Sequence, residues 1–377
     1  FISLTKHFND NKGKVYFAID KNERKFKEVN AEGSLVLPVI ELADMLSTIP
    51  KSYEEDLTFT KYDFSISDKF NIDAHEIFLS SSLKYKDYKV NERELVSLNG
   101  SLIPNDFNGM ESESIISLMA SDNYYFNSDN LFIIDFKFDK YIKSGNFNDF
   151  SEVSSRVGFV STINANFGIK AFATKSFMPP SMYEIDFADK DNKDLKAESK
   201  KTYSIEGVYE DEKNRLSLYV TRFEIKDNIA LGELSQGELG FVNADEKFTG
   251  EAISLDYTRK FDNQNKLNII VYKLNNNKNV YQSPSEGATL KAFQTVENFR
   301  FYEELIFKNS YKYGDIIDID ESYNLSLGAS YDYSKDLTLS IKGENLFEDC
   351  MDIVYADRSN LADIKYKSIE NSDRRVI

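Results

Sequence analysis

The sequence predicts an all-β fold: an antiparallel, up-and-down β-barrel of the membrane-spanning kind. Three observations predict it. Apolar residues recur at every second place in segment after segment, the mark of a strand with one greasy and one polar face. Roughly sixteen such segments can be traced, many near the ~9–11 residues that cross a bilayer when tilted, against about 5–6 for an average strand. The connections alternate between short and long, as in a barrel with tight turns at one end and larger loops at the other.

Taken in order, the first hundred residues fit as strands and loops. The greasy run from Leu35 to Pro50 is broken by Pro38, Glu41 and Asp44. It falls short of the roughly 18 consecutive apolar residues of a membrane helix and reads as a loop with a short helix over Val39–Leu46. Further on, Phe132, Ile134, Phe136 and Phe138 share one face, with Asp135, Lys137 and Asp139 on the other. Tyr203, Ile205, Gly207 and Tyr209 lead through a charged turn, Glu210–Asn214, into Leu216, Leu218 and Val220. Ile253, Leu255 and Tyr257 precede the turn at Asp262–Asn265. Tyr323, Leu325, Leu327, Ala329, Tyr331 and Tyr333 pass through Ser334–Asp336 to Leu337, Leu339 and Ile341. The long connections are Ser176–Ser199, Lys226–Lys247, Asn275–Gly287 and Asp349–Asn371.

Alternation alone suits a soluble sandwich core as well as a lipid-facing wall. Strand length and the rhythm of connections favour lipid, so Leu339 is expected to face the membrane and Ser340 the lumen. Tyr and Phe gather near strand ends, at Tyr124–Phe126, Tyr141, Tyr209, Tyr257, Tyr311, Tyr313 and Tyr333. Interfacial girdles would place them there, although aromatic residues also favour strands in general.

Composition excludes several function classes. The net charge of −17 repels phosphate, so nucleic acid is not an expected partner. One cysteine, Cys350, and two histidines, His7 and His75, leave no material for a disulfide framework or a structural zinc site. Paired acids such as Glu54–Glu55 and Glu303–Glu304 lack the fixed separation that glycoside hydrolysis needs. The run from Asp315 to Ser322 lacks the spacing of a calcium loop. No phosphate-binding, nucleophile-elbow or zinc-protease motif occurs. Hence no catalytic residue, metal site or cofactor is expected, and the chain is not read as an enzyme.

From Gly168 to Glu210 the residues carry an ordered pair of motifs. Phe177-Met178-Pro179-Pro180-Ser181 is followed by Asn192-Lys193-Asp194-Leu195-Lys196-Ala197-Glu198, and near the C-terminus Asn345-Leu346-Phe347 closes a strand. This stretch resembles the TonB-dependent outer-membrane receptors. In that family a strand ends in a Phe-Arg-Ala-Pro-Ser type segment, a loop with Asn-Pro-x-Leu-Lys-Pro-Glu leads into the next strand, and the penultimate strand ends on Asn-Leu-Phe-Asp. The family-motif positions here are therefore Phe177, Pro180, Ser181, Asn192, Leu195, Glu198, Asn345, Leu346 and Phe347. The arginine and two prolines of the pattern are replaced.

The resemblance covers about residues 112–377, while 1–111 rest on the strand pattern alone. It implies one partial barrel domain over 1–377, a C-terminal portion without plug or TonB box, in the outer membrane of a Gram-negative bacterium. It implies energised import of a metal chelate such as a ferric siderophore, with cobalamin or haem ranked lower. No histidine stands between Met182 and Asp191, where the family's haem receptors carry one. Its implied partners are outer-membrane lipid, the TonB complex through an N-terminal region, and a small chelate. The expected outer-loop ligand contacts are Tyr183, Asp186, Tyr281 and Asp315. The alternatives are a passive porin-type channel or a soluble all-β glycan-binding or adhesion protein.

Overall fold

Period-two segments become antiparallel strands, each paired with its neighbour in sequence. The computed structural model describes residues 1–10, 12–29, 50–97, 100–103, 107, 109–186, 188, 195–233, 239–262, 264–276, 284–313, 317–347, 349–357, 365–371 and 375–376. The helix expected over Val39–Leu46 lies outside the described residues. The chain divides into two units, residues 1–157, 174–201 and 225–247 forming the first, and 158–173, 202–224 and 248–377 the second.

In the first unit, β1 (Ile2–Phe8), β2 (Gly13–Val29), β3 (Pro50–Ile72) and β4 (His75–Ser97) form a meander. After the two-residue β5 (Leu102–Ile103) it continues through β6 (Ser112–Asn127) and β7 (Asn130–Lys143). β8 (Phe150–Asn164), β9 (Phe167–Met178), β10 (Glu198–Glu210) and β11 (Asn214–Lys226) follow, each with residues in both units, and the helix α1 (Met182–Asp186) lies between β9 and β10. A short hairpin of β12 (Ile229–Glu233) and β13 (Leu239–Asn243) occupies the next long connection.

In the second unit, β14 (Phe248–Lys260), β15 (Lys266–Asn276), β16 (Glu286–Val296) and β17 (Phe299–Lys308) pair in turn. The small hairpin β18 (Tyr311–Tyr313) and β19 (Ile317–Ile319) intervenes before β20 (Ser322–Ser334) and β21 (Leu337–Glu344) extend the meander. A second loop hairpin, β22 (Cys350–Asp357) and β23 (Lys365–Asn371), precedes β24 (Arg375–Val376), which pairs with β21.

Two of the tight turns share one device. Asp211 Oδ1 accepts the backbone N–H groups of Lys213 and Asn214, and Asp262 Oδ1 accepts those of Gln264 and Asn265. In each the final Asn amide also donates to the same Asp. This is the Asx-turn chemistry that makes Asp and Asn turn formers. Charge-assisted hydrogen bonds from Lys213 and Asn214 hold the Asp211 carboxyl down at about 2.

The apolar faces turn away from protein. On β3, Ile66 and Phe64 are 45% and 46% exposed, and on β21 Leu339 and Ile341 are 57% and 59% exposed. The opposite faces carry polar networks instead. In the first unit these include Ser117 with Asp139, Ser121 and Arg156 with Asp135, and Lys86 with Glu113. In the second, Ser340 meets Ser330, Thr338 and Arg300 meet Asp332, and Lys291 pairs with Glu304. A sandwich would bury the greasy side and wet the polar one. Here the arrangement is inverted, as a wall between lipid and a polar interior requires. Tyr141 departs from the girdle expectation: it sits on the polar face beside Asp139, is 6% exposed, and stacks on Phe150 at 4.5 Å. No helix among the described residues is long and apolar enough to cross a membrane.

Candidate functional site

The candidate site forms in the first unit, where β3 and β4 run on past the wall and meet the connection carrying α1. At 23 residues each, the two strands are about twice the ~9–11 residues a tilted crossing needs. Their lower outward face is apolar, with Tyr62, Phe64 and Ile66 opposite Tyr85, Leu83 and Ser81. Above the Tyr62–Tyr85 pair, whose rings lie 6.1 Å apart, the outward positions become Thr60, Thr58, Asp56 and Glu54 against Asp87, Lys89, Glu92 and Glu94. The inward face changes in the opposite sense, from Lys61, Asp63 and Lys84 to Leu57, Phe59, Tyr88 and Val90.

That upper inward face is covered. Leu57, Tyr88, Met110, Phe147, Met182 and Ile185 form a buried cluster, with Phe59, Val90 and Phe107 packed against it. A register shift at Asp56/Leu57 opposite Asn91 lets both Val90 and Arg93 point inward. The Asn91 amide donates to Asp56 and to Thr58, so the extra residue stays satisfied.

Within the cluster Arg93 joins two carboxylates. Its guanidinium donates to Glu55 Oε1 at 2.5 and 2.9 Å and to Asp186 Oδ2 at 2.6 Å. All three side chains are almost fully withdrawn from solvent, at 4%, 3% and 0% exposure. A buried charge of this kind tolerates desolvation only when paired with good geometry. Burial also pushes the Tyr88 hydroxyl up to about 12, with Glu55 and Asp186 adding to the rise, so it stays protonated.

α1 is placed by its own sequence. Ser181 caps it: the Glu184 N–H donates to Ser181 Oγ at 3.2 Å, and the Ser181 N–H donates to Glu184 Oε2 at 2.6 Å. This reciprocal Ser-x-x-Glu pair is a capping box. It sets Met182 and Ile185 into the cluster, 7% and 1% exposed, with Asp186 against Arg93.

The motif positions fall into structural tasks. Phe177 meets the Tyr141 ring edge-on at 6.1 Å, Pro180 is buried, and Leu195 is 9% exposed. Glu198 Oε1 accepts the N–H of Ile229 at 2.7 Å, tying the start of β10 to β12. Asn243 on β13 secures the same connection, accepting from the Lys196 N–H and donating to the Lys196 and Asp227 carbonyls. In the second unit, Asn345 ends β21 with φ of 51°, a left-handed conformation that Asn tolerates better than most residues. Leu346 then donates its N–H to Leu325 O, and Phe347 is 55% exposed.

Of the four expected ligand contacts, Tyr183 stands at the rim, 47% exposed, its ring edge-on to Phe241 at 5.9 Å. Asp186 is instead buried and bonded to Arg93. Tyr281 and Asp315 lie outside the described residues, as does Asn192. Sequence reasoning missed Arg93 and Glu55, because each sits in an ordinary charged stretch. It also missed α1, whose Ser181-x-x-Glu184 spacing was the available signal. Beside Tyr183's neighbour Phe241 a polar cavity of about 560 Å³ opens between the α1 connection and β13, bordered by Lys196, Lys226 and Lys247 with Asp227 and Asp245.

Residues 3–346 match the family described as "TonB dependent receptor-like, beta-barrel". The chain belongs to that family, whose members are outer-membrane β-barrel receptors of Gram-negative bacteria, and its fold is a partial, antiparallel, up-and-down transmembrane β-barrel. No curated protein matches it. Among solved structures it is similar to the siderophore receptor PirA from Acinetobacter baumannii, with a TM-score of 0.68 and 13% identity over 92% of this chain and 57% of that one. It is similar to the ferric enterobactin receptor PfeA from Pseudomonas aeruginosa, with a TM-score of 0.69 and 13% identity over 99% and 59%. It is also similar to the copper transporter OprC, with a TM-score of 0.70 and 10% identity over 97% and 60%. The chain thus spans between 57% and 60% of the length of these three solved proteins.

Proposed function

We propose that this chain is barrel wall and outer rim of a Gram-negative outer-membrane receptor that imports a metal chelate, such as a ferric siderophore, with energy delivered through TonB. The observation that carries the reading is membership of the receptor family across residues 3–346. It is supported by likeness in fold to a siderophore receptor, a ferric enterobactin receptor and a copper transporter. The barrel supplies scaffold and cup; chemistry on the ligand has no part in it.

The exposed Tyr183 ring and the lysines bordering the cavity, Lys196, Lys226 and Lys247, are the side chains we assign to ligand capture. In a chain of net charge −17, three cations against two carboxylates around one opening leave a local positive excess that favours an anionic chelate over a cationic one. Asp186 we assign to holding the rim.

The test is uptake of radiolabelled ferric chelates by cells that depend on the intact protein. Accumulation should stop when the proton gradient is collapsed. Continued uptake without the gradient would make the protein a passive channel and overturn the reading.

A further inference from the structure

The outward wall of the first unit is not evenly greasy. Between β3, β4, β6 and β7 the register sets small Ser81 and Ala120 among large neighbours: Ser81 pairs with Ile66 and Leu118, and Ala120 pairs with Leu79 and Phe136. The result is a shallow recess of about 560 Å³ with an almost wholly apolar lining. Phe8 closes one side, its ring lying over the Gly13 backbone so closely that a side chain at Gly13 would strike it. Phe8, Leu79, Leu118 and Phe136 stand around it, each 38–51% exposed.

Two further facts define its occupant. The recess lies only a few residues from the Asp73–Ala74 turn that joins β3 to β4, and hence in the half of the wall on the side of the tight turns. At its rim sits Asp68, on the outward face. Its carboxylate accepts from the Asn9 amide at 3.0 and 3.3 Å and from the Lys69 N–H at 2.9 Å. Those donors are neutral amides, and among the described residues Asp68 has no ion-pair partner, although it stands next to hydrocarbon, where an acid without a counter-ion is costly.

We infer that this recess binds one phospholipid of the tight-turn leaflet, its acyl chain along Ser81 and Ala120 and a primary ammonium headgroup on Asp68. Apolar lining accounts for the chain, and the rim carboxylate for the choice of a cationic over an uncharged or anionic head. The inference rests on this wall facing lipid.

Native mass spectrometry of the intact detergent-extracted protein, titrated with phosphatidylethanolamine and with phosphatidylglycerol, tests it. The wild type should retain phosphatidylethanolamine in preference. Ser81→Phe, and independently Ala120→Phe, should weaken retention by about tenfold, the loss expected from forfeiting roughly two buried methylenes. Asp68→Asn should keep retention but abolish the headgroup preference. Leu83→Phe, on the same wall outside the recess, should change nothing. Equal retention of the two lipids by the wild type, or unchanged retention in both filled variants, overturns the site. A cysteine at position 83 separates this failure from that of the wall: ready labelling by a water-soluble thiol reagent in intact membranes means the wall does not face lipid at all.

Discussion

The lower and upper halves of the β3–β4 hairpin use the same strands, the same pairing and opposite chemistry. Below Tyr62 and Tyr85, Phe64, Ile66, Leu79 and Leu83 point outward, while Asp63 and Lys84 point inward. Above them Glu54, Asp56, Glu92 and Glu94 point outward, while Leu57, Phe59, Tyr88 and Val90 point inward under α1. Backbone hydrogen bonding is indifferent to this exchange; only the solvent on each side accounts for it. The lower half separates lipid from a polar interior. The upper half stands in water and must bury an apolar face of its own. An aromatic pair stands at the changeover, the place that interfacial Tyr residues take at a membrane boundary.

The largest effect should come from the charge at the centre of the upper half. Arg93→Ala leaves Glu55 and Asp186 buried without a cation, and removing one member of such a set costs about 3–5 kcal/mol. The connection carrying α1 should then detach and become sensitive to protease between residues 178 and 198. The triple replacement Glu55→Leu, Arg93→Met, Asp186→Leu should restore protection, because the cluster around it is already apolar. Protection unchanged in Arg93→Ala would mean that packing of Met182 and Ile185, not the ion set, holds the rim.

Next comes the contrast between halves. Phe64→Arg places a charge on the outward face within the bilayer and should cost ~2–4 kcal/mol. Thr58→Arg, six residues along on the same outward face, should cost no more than about 1 kcal/mol, the worth of the Asn91 hydrogen bond it gives up. Folding free energies measured by urea titration into lipid vesicles decide it. Equal penalties at the two positions would abolish the boundary drawn at Tyr62.

The wall was legible in the sequence because its rule is local: one face meets lipid, so every second residue must be apolar, and the period survives without any knowledge of neighbours. Spacing alone puts Leu337, Leu339 and Ile341 on one face, and strand length with the rhythm of connections turns that face toward lipid. The rim was not legible for the converse reason. Arg93 finds Asp186 across 93 positions of chain, and nothing in the run Asn91-Glu92-Arg93-Glu94 distinguishes the buried charges from the wet ones. Asp186 looked like a loop-tip acid for the same reason. The bulge at Asn91 then shifts the period by one, so alternation counted from the wall would misplace every side chain above it. Tyr141 shows the limit on the other side: an aromatic near a strand end belongs to a girdle only if its parity is outward, and its parity here is that of Asp139.

The smallest expected effect concerns how the upper half is sealed. α1 is a helix of five residues, too short to persist on its own account. Its capping box and its two buried side chains therefore act together. Ser181→Ala removes the acceptor for the Glu184 N–H and should cost about 1 kcal/mol, read as faster amide exchange in residues 182–186 with the wall strands unaffected. Ser181→Asp, which can still accept that bond, should restore most of the protection. The comparison sharpens on the outcome. If Ser181→Ala speeds exchange on β3 and β4 as well, the upper half unfolds as one cooperative piece with its cover. If exchange rises in α1 alone, the long strands hold their register above the membrane without it, and the cluster seals a surface that β3 and β4 have already built.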